Sequence, residues 1–281
     1  MEKLIIHGGR RLEGHVKISG AKNAVLPIIA ATLLGQDTPS LLDEVPALED
    51  VATITEVLRK LGVQAEFDAE RHQLHVDAST IGSCEAPYDL VRKMRASFLI
   101  MGPLLARCGK AKISLPGGCA IGARPVDQHL KGLEQMGASF QLEEGYIIGR
   151  CRKLTGAHIT FDMPTVGGTE NLLMAATLAE GETILENVAR EPEVVDLANF
   201  LCACGAHVTG QGTSTIRIKG VSSLHSAVYP VMSDRIEAGT FLVAAGITGG
   251  ELLLHNCPYE ELEAVILKLR GMGMEITQQD K

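Results

Sequence analysis

The sequence has no tryptophan, and Phe, Tyr and Trp together make up 4% of its residues. Any core it builds is therefore aliphatic, made of Leu, Ile, Val and Ala. It also lacks a basic excess: 26 Lys and Arg stand against 34 Asp and Glu, a formal net charge of −8. That balance excludes the usual nucleic-acid-binding protein, which is basic. An anionic substrate would have to be held by a local cluster of cations, because the global field repels it. No apolar run is long enough to span a bilayer, and residues 1–7 lack the apolar stretch of a signal peptide. The expectation is a soluble cytoplasmic protein with no membrane partner.

Zinc-like cysteine spacing is missing as well. The seven cysteines are scattered, and Cys202 and Cys204 form a lone C-x-C with no second pair near them, which reads as packing. No metal constellation appears, so no metal and no other cofactor is expected. Free thiols suit a reducing compartment.

What the sequence does have is a 46% apolar content, enough for a real core, and an internal repeat. Apolar segments closed by Gly35, Gly109, Gly181 and Gly250 are each followed by a strand-like run, at spacings of 74 (109−35), 72 (181−109) and 69 (250−181). Each then enters a second helical segment that ends in a capping glycine: Gly62, Gly137, Gly205 and Gly273. A strand is expected after each: Gln64 to Phe67, Ser139 to Leu142, His207 to Thr209 and Glu275 to Thr277. The pattern is an α/β unit of about 70 residues, with a leading strand, that cannot bury its own faces alone.

One stretch concentrates chemistry. Residues 115–129 carry Gly117, Gly118 and Gly122, then Cys119 and Arg124, and then Pro125 and Asp127 at the start of a helix. Proline suits the first helical turn, and an acid is favoured there. Val126, Leu130, Leu133 and Met136 continue at helical spacing. The loop delivers a thiol and a guanidinium to a helix N-terminus, where anions bind. From the residues alone Cys119 is either a small core residue or a thiol made reactive by Arg124 and the helix end.

The run from Leu115 to Asp127 resembles the catalytic loop of the UDP-N-acetylglucosamine 1-carboxyvinyltransferase family, the enolpyruvyl transferases of peptidoglycan synthesis. Other segments match in the same order: Lys22 and Asn23, Met94 to Ser97, Thr165 to Gly167, and Ser233 to Phe241. The resemblance implies two similar domains of three βαβαββ units each, with helices inside and sheets outside, an inside-out α/β barrel. Residues 22–228 would form the first domain. Residues 1–21 and 229–281 would form about one of three units of the second, so the chain looks truncated.

The resemblance also implies roles. Cys119 would be the acid and the site of a covalent adduct. Lys22, Asn23 and Arg124 would bind phosphoenolpyruvate. Arg95, Arg124, Pro125, Val126, Asp127, Gln128, Thr165, Val166 and Gly167 would bind UDP-N-acetylglucosamine. Lys22 reads as an ammonium with no carboxylate nearby. Met163 stands where many members carry lysine, so one charge contact to the sugar nucleotide is lost or replaced. The general base would lie beyond position 281, so weak turnover is expected. Asp234, Arg235 and Glu237 read as structural charges at a domain junction. His129 is either an ordinary surface residue or a support for the site. Two alternatives stay open: a non-catalytic homologue that binds a nucleotide-sugar, and, on the shared fold, 3-phosphoshikimate 1-carboxyvinyltransferase.

Overall fold

The computed structural model describes residues 3–5, 7–91, 94–114 and 126–279, and of Arg95 the backbone only. The chain divides into two compact units, one of residues 22–231 and one of residues 1–21 with 232–281.

The repeat is visible element by element. After a leading strand β1 (Glu13–Lys17), the first repeat holds α1 (Lys22–Ala31), β2 (Ser40–Asp43), α2 (Glu49–Lys60), β3 (Gln64–Asp68) and β4 (Gln73–Asp77). The second holds α3 (Tyr88–Val91), a 3-10 turn Arg95–Ile100, α4 (Met101–Cys108), β5 (Lys110–Ser114), α5 (Asp127–Gln135), β6 (Ser139–Glu143) and β7 (Tyr146–Arg150). The third holds β8 (His158–Thr160), α6 (Val166–Ala176), β9 (Glu182–Glu186), α7 (Pro192–Ala203), β10 (His207–Thr209) and β11 (Thr215–Lys219). The fourth holds β12 (Val228–Pro230), α8 (Arg235–Thr248), β13 (Glu251–His255) and α9 (Glu263–Gly271).

In the larger unit each repeat makes a sheet of one topology: β2-β4-β3, β5-β7-β6 and β9-β11-β10, all antiparallel. A leading strand adds in parallel at the near edge, β8 beside β9 and, as a single bridge, Glu85 beside Lys112 of β5. The first repeat breaks the order. Its own leading strand β1 pairs with β13 of the fourth repeat, while the fourth repeat's leading strand β12 pairs with β2. The chain thus closes each unit with a strand from the far side of the sequence. None of the described sheets closes into a barrel.

Helices occupy the inside of the larger unit. Residues 24–31 of α1 and 168–176 of α6 are buried on all sides, which is why these segments are apolar all round instead of amphipathic. The strands alternate, with Leu74 and Val76 of β4 and Ile216 and Ile218 of β11 turned inward. The four capping glycines all adopt the left-handed conformation, with φ of 82°, 94°, 95° and 96° at Gly62, Gly137, Gly205 and Gly273.

One sequence expectation fails here. Glu275 to Thr277 is not a strand. In the other repeats that strand pairs with the next one in sequence, and no such partner is present among the described residues. Met94, whose backbone is extended (φ −140°, ψ 119°), precedes the segment that carries Arg95. Residues 95–100 then form a tighter 3-10 turn before α4, which carries Pro103 in its first turn, where its missing N–H costs nothing.

Candidate active site

Cys119, Arg124 and Pro125 lie outside the described residues, as does the side chain of Arg95. The remaining predicted site residues sit at three helix starts in the larger unit.

Two of these starts meet. Helix α5 begins after Val126, with Asp127 in its first turn. Helix α6 begins after Thr165, whose hydroxyl caps it by accepting from the Gly168 N–H at 3.3 Å. Gln128 Oε1 accepts from the Met163 N–H at 3.5 Å, and a side chain added at Gly167 would touch the His129 ring at 3.4 Å. Val126 to Gln128 and Thr165 to Gly167 are therefore neighbours. The close approach continues down the helix pair, because Gly132 of α5 packs directly on Leu172 of α6.

His129 is not a surface residue. It is buried at 7% exposure, edge-on to Phe98 with 5.2 Å between ring centres, and its Nδ1 lies 3.0 Å from Asn171 Nδ2. The ring therefore accepts at Nδ1 from the amide. Asn171, fully buried, also donates to the Phe98 carbonyl at 3.2 Å and accepts from the Gly102 N–H at 2.6 Å. One amide ties α4, α5, α6 and the 95–100 turn together behind the paired helix starts. That turn carries Arg95.

Charge at this face is supplied by Lys131. Its ammonium lies 3.0 Å from Asp162 and 3.9 Å from Asp127, and the Asp162 carboxylate raises its pKa above the usual lysine value. Met163, beside Asp162, is 64% exposed and brings no charge. Lys131 was missed in the sequence, although its place four residues after Asp127 is the spacing of a helical ion pair.

The third helix start carries Lys22 and Asn23, both exposed. Contrary to expectation, Lys22 has a carboxylate nearby: Asp50 Oδ2 is 3.4 Å from its Nζ. Asp50 is there because α2 packs on α1 and begins with Glu49 and Asp50, acids that favour a helix N-terminus. An anion bound by Lys22 would compete with Asp50 for it. Both side chains are partly exposed, so the pair is weak and easily broken.

Glu170 of α6 is 3% exposed, and its Oε1 has no hydrogen-bond partner. Burial pushes its carboxyl pKa well above the ordinary range, and the nearby Glu193 and Glu191 push it further. It lies about one turn after the Thr165 cap. Asp234, Arg235 and Glu237 belong to the smaller unit. Asp234 caps α8 by accepting from the N–H groups of Ile236 and Glu237, and Glu237 accepts from the Ser19 N–H and hydroxyl. The described bonds of Asp234 and Glu237 fasten the N-terminal segment to α8 within that unit. Among the described residues no helix is long and apolar enough to cross a membrane.

The family model for EPSP synthase (3-phosphoshikimate 1-carboxyvinyltransferase) matches residues 6–281. Over 279 residues the chain is 71% identical to a UDP-N-acetylglucosamine 1-carboxyvinyltransferase of Desulfovibrio desulfuricans, covering 99% of this chain and 66% of that protein. It is 64% identical over 280 residues to the protein of that name from Nitratidesulfovibrio vulgaris (98% and 65%), and 56% identical over 282 residues to that from Lawsonia intracellularis (100% and 66%). The chain thus spans slightly less than two thirds of the length of these relatives. Among solved structures, the enolpyruvyl transferase NikO from Streptomyces tendae superposes with a TM-score of 0.76 at 27% identity, over 85% of this chain and 56% of that one. EPSP synthase from Acinetobacter baumannii shares the fold, with a TM-score of 0.75 at 22% identity over 96% of this chain and 61% of that one. With helices inside, sheets outside, a repeat of one topology and a family match over residues 6–281, this chain belongs to the EPSP synthase family of enolpyruvyl transferases.

Proposed function

We propose that this chain acts in the transfer of the enolpyruvyl group from phosphoenolpyruvate to the 3-hydroxyl of UDP-N-acetylglucosamine, releasing phosphate, in the cytoplasmic first step of peptidoglycan synthesis. The observation that carries this reading is the 71% identity, across 99% of the chain, to a relative of that name. The geometry supports a sugar-nucleotide site at the paired starts of α5 and α6. First-turn N–H groups and the helix ends favour an anion, and Val126, Asp127, Gln128, Thr165, Val166 and Gly167 line them. Arg95, Arg124 and Pro125 complete this site in the proposal.

In the reaction the sugar hydroxyl loses its proton to a base and its oxygen bonds to C2 of phosphoenolpyruvate, while an acid protonates C3. Loss of a proton from C3 then expels phosphate and restores the double bond. Cys119 is the proposed acid, since a thiol near its ordinary pKa of about 8.5 carries its proton at neutral pH. It is also the proposed site of an adduct at C2. Lys22, Asn23 and Arg124 hold the phosphoenolpyruvate anion, with Lys22 exchanging Asp50 for the ligand. Transfer to 3-phosphoshikimate is the weaker reading, as EPSP synthase from Acinetobacter baumannii is 22% identical to this chain, against 71% for the relative named for UDP-N-acetylglucosamine.

Calorimetry with UDP-N-acetylglucosamine, beside a phosphate-release assay with both substrates, tests the proposal. Saturable binding of the sugar nucleotide and no heat with shikimate 3-phosphate are expected. Binding of shikimate 3-phosphate alone would overturn it.

A further inference from the structure

The smaller unit carries a pair of histidines that the proposed reaction does not use. His15 lies on β1 and His255 on β13, the two strands of a parallel ribbon whose register sets Glu13 opposite Glu251, His15 opposite Leu253 and Lys17 opposite His255. Side chains alternate along a strand, so Glu13, His15, Lys17, Glu251, Leu253 and His255 share one face. On that face His15 Nδ1 and His255 Nε2 are 3.1 Å apart, with the rings stacked at 25° and 5.3 Å between centres. Both rings are exposed.

Two imidazole nitrogens bound to one metal at about 2.0–2.1 Å stand about 2.9 to 3.4 Å apart, from cis-octahedral to tetrahedral angles. The observed separation falls within that span. Glu13 and Glu251 line a shallow depression together with His15. Arg11 lies against the same two acids, 2.9 Å from Glu13 and 4.0 Å from Glu251. We propose that His15 and His255 form a two-histidine site for a divalent transition-metal ion on the outer face of the β1–β13 ribbon. Among the described residues no cluster of three or more His, Cys, Asp or Glu side chains is placed to hold a metal. The pair therefore supplies two ligands and water supplies the others, with Glu13 and Glu251 adding negative charge at the edge of the site. Imidazole ligands suit zinc, nickel and copper over magnesium or calcium. An ion bridging β1 to β13 would add a side-chain link to the backbone pairing of the two strands.

The competing account of the 3.1 Å separation is a single shared N–H between the two rings, and nickel titration separates them. In calorimetry of the full chain at pH 7.5 with nickel chloride, one ion per chain is expected. His15→Gln and His255→Gln should each weaken it about tenfold or more, with circular dichroism unchanged. Binding should weaken as acid is added, because protons compete for the ring nitrogens. Saturable nickel binding that survives both substitutions places the metal elsewhere, on the thiols for instance, and overturns the proposal. Absence of saturable binding overturns it too, leaving only the shared proton.

Discussion

Glu170 shows how a single buried group can set the pH response of the fold. Its pKa is raised in the folded chain by burial, and then by Glu193 and Glu191. The folded state therefore keeps a proton that the unfolded chain loses near the ordinary glutamate value of about 4.5. Where the native state binds more protons, stability falls as pH rises. The contribution of Glu170 is complete below pH 4.5 and declines above it. Glu170→Gln, which cannot ionise, should flatten this decline, so that urea midpoints of variant and parent diverge in favour of the variant as the pH rises above the ordinary glutamate value. Parallel curves would show that Glu170 is not the group responsible. At the proposed site, Cys119→Ser should lower phosphate release by tenfold or more, since a hydroxyl is a far weaker acid than a thiol. It should also abolish labelling by an epoxide of the fosfomycin type, read by mass spectrometry of the peptide containing residue 119. Labelling of another cysteine instead would remove Cys119 from the chemistry.

At the scale of elements, the repeat depends on its glycine caps. Gly62 and Gly137 hold equivalent places after α2 and α5, and both have left-handed φ. They differ in surroundings: a Cβ on Gly62 would lie 2.9 Å from the backbone nitrogen of Gly82, whereas on Gly137 its nearest neighbour is Thr155 Oγ1 at 3.8 Å. Gly137→Ala should cost about 1–2 kcal/mol, the conformational term alone. Gly62→Ala should cost more, because the backbone at Gly82 must also move. Thermal melts of the two variants decide this, and equal losses would show that the contact relaxes freely. Arg107 is the side-chain counterpart of these caps. From α4 it donates to the carbonyls of Leu33, Gly35 and Ala78, joining the end of the first repeat's inner helical segment to the second repeat. The arginine was not singled out in the sequence, because nothing local marks a long-range bond to three backbone oxygens.

At the scale of the whole molecule, the two units differ in how much they bury. The larger encloses α1, α4 and α6, whose inward positions are almost all inaccessible. Among the described residues the smaller has a buried cluster of Ile18, Ala238, Leu262 and Ile266, and its α8 leaves Ile236, Val243 and Ile247 exposed. In α8 only Ala238 and Ala245 are buried, although the helix is as apolar as α1 and α6. Native-state hydrogen exchange should find the amides of α8 and β13 opening at lower free energy than those of α1 and α6. Equal protection in both would mean that the small cluster understates the stability of the smaller unit.

The aliphatic core, the period of the repeat and the ends of its helices were all decided locally. Apolar spacing and glycine caps act over a few residues, so they are legible in the chain as written. The helix start at Asp127 was legible for the same reason. Partners distant in sequence were not. The exchange of β1 and β12 between the first and fourth repeats, the carboxylate of Asp50 against Lys22, the burial of His129 behind Asn171 and the meeting of His15 with His255 all join residues brought together only by packing. Local pattern chooses an element and its boundaries, whereas the identity of its neighbour depends on which surfaces remain to be covered once every element has formed.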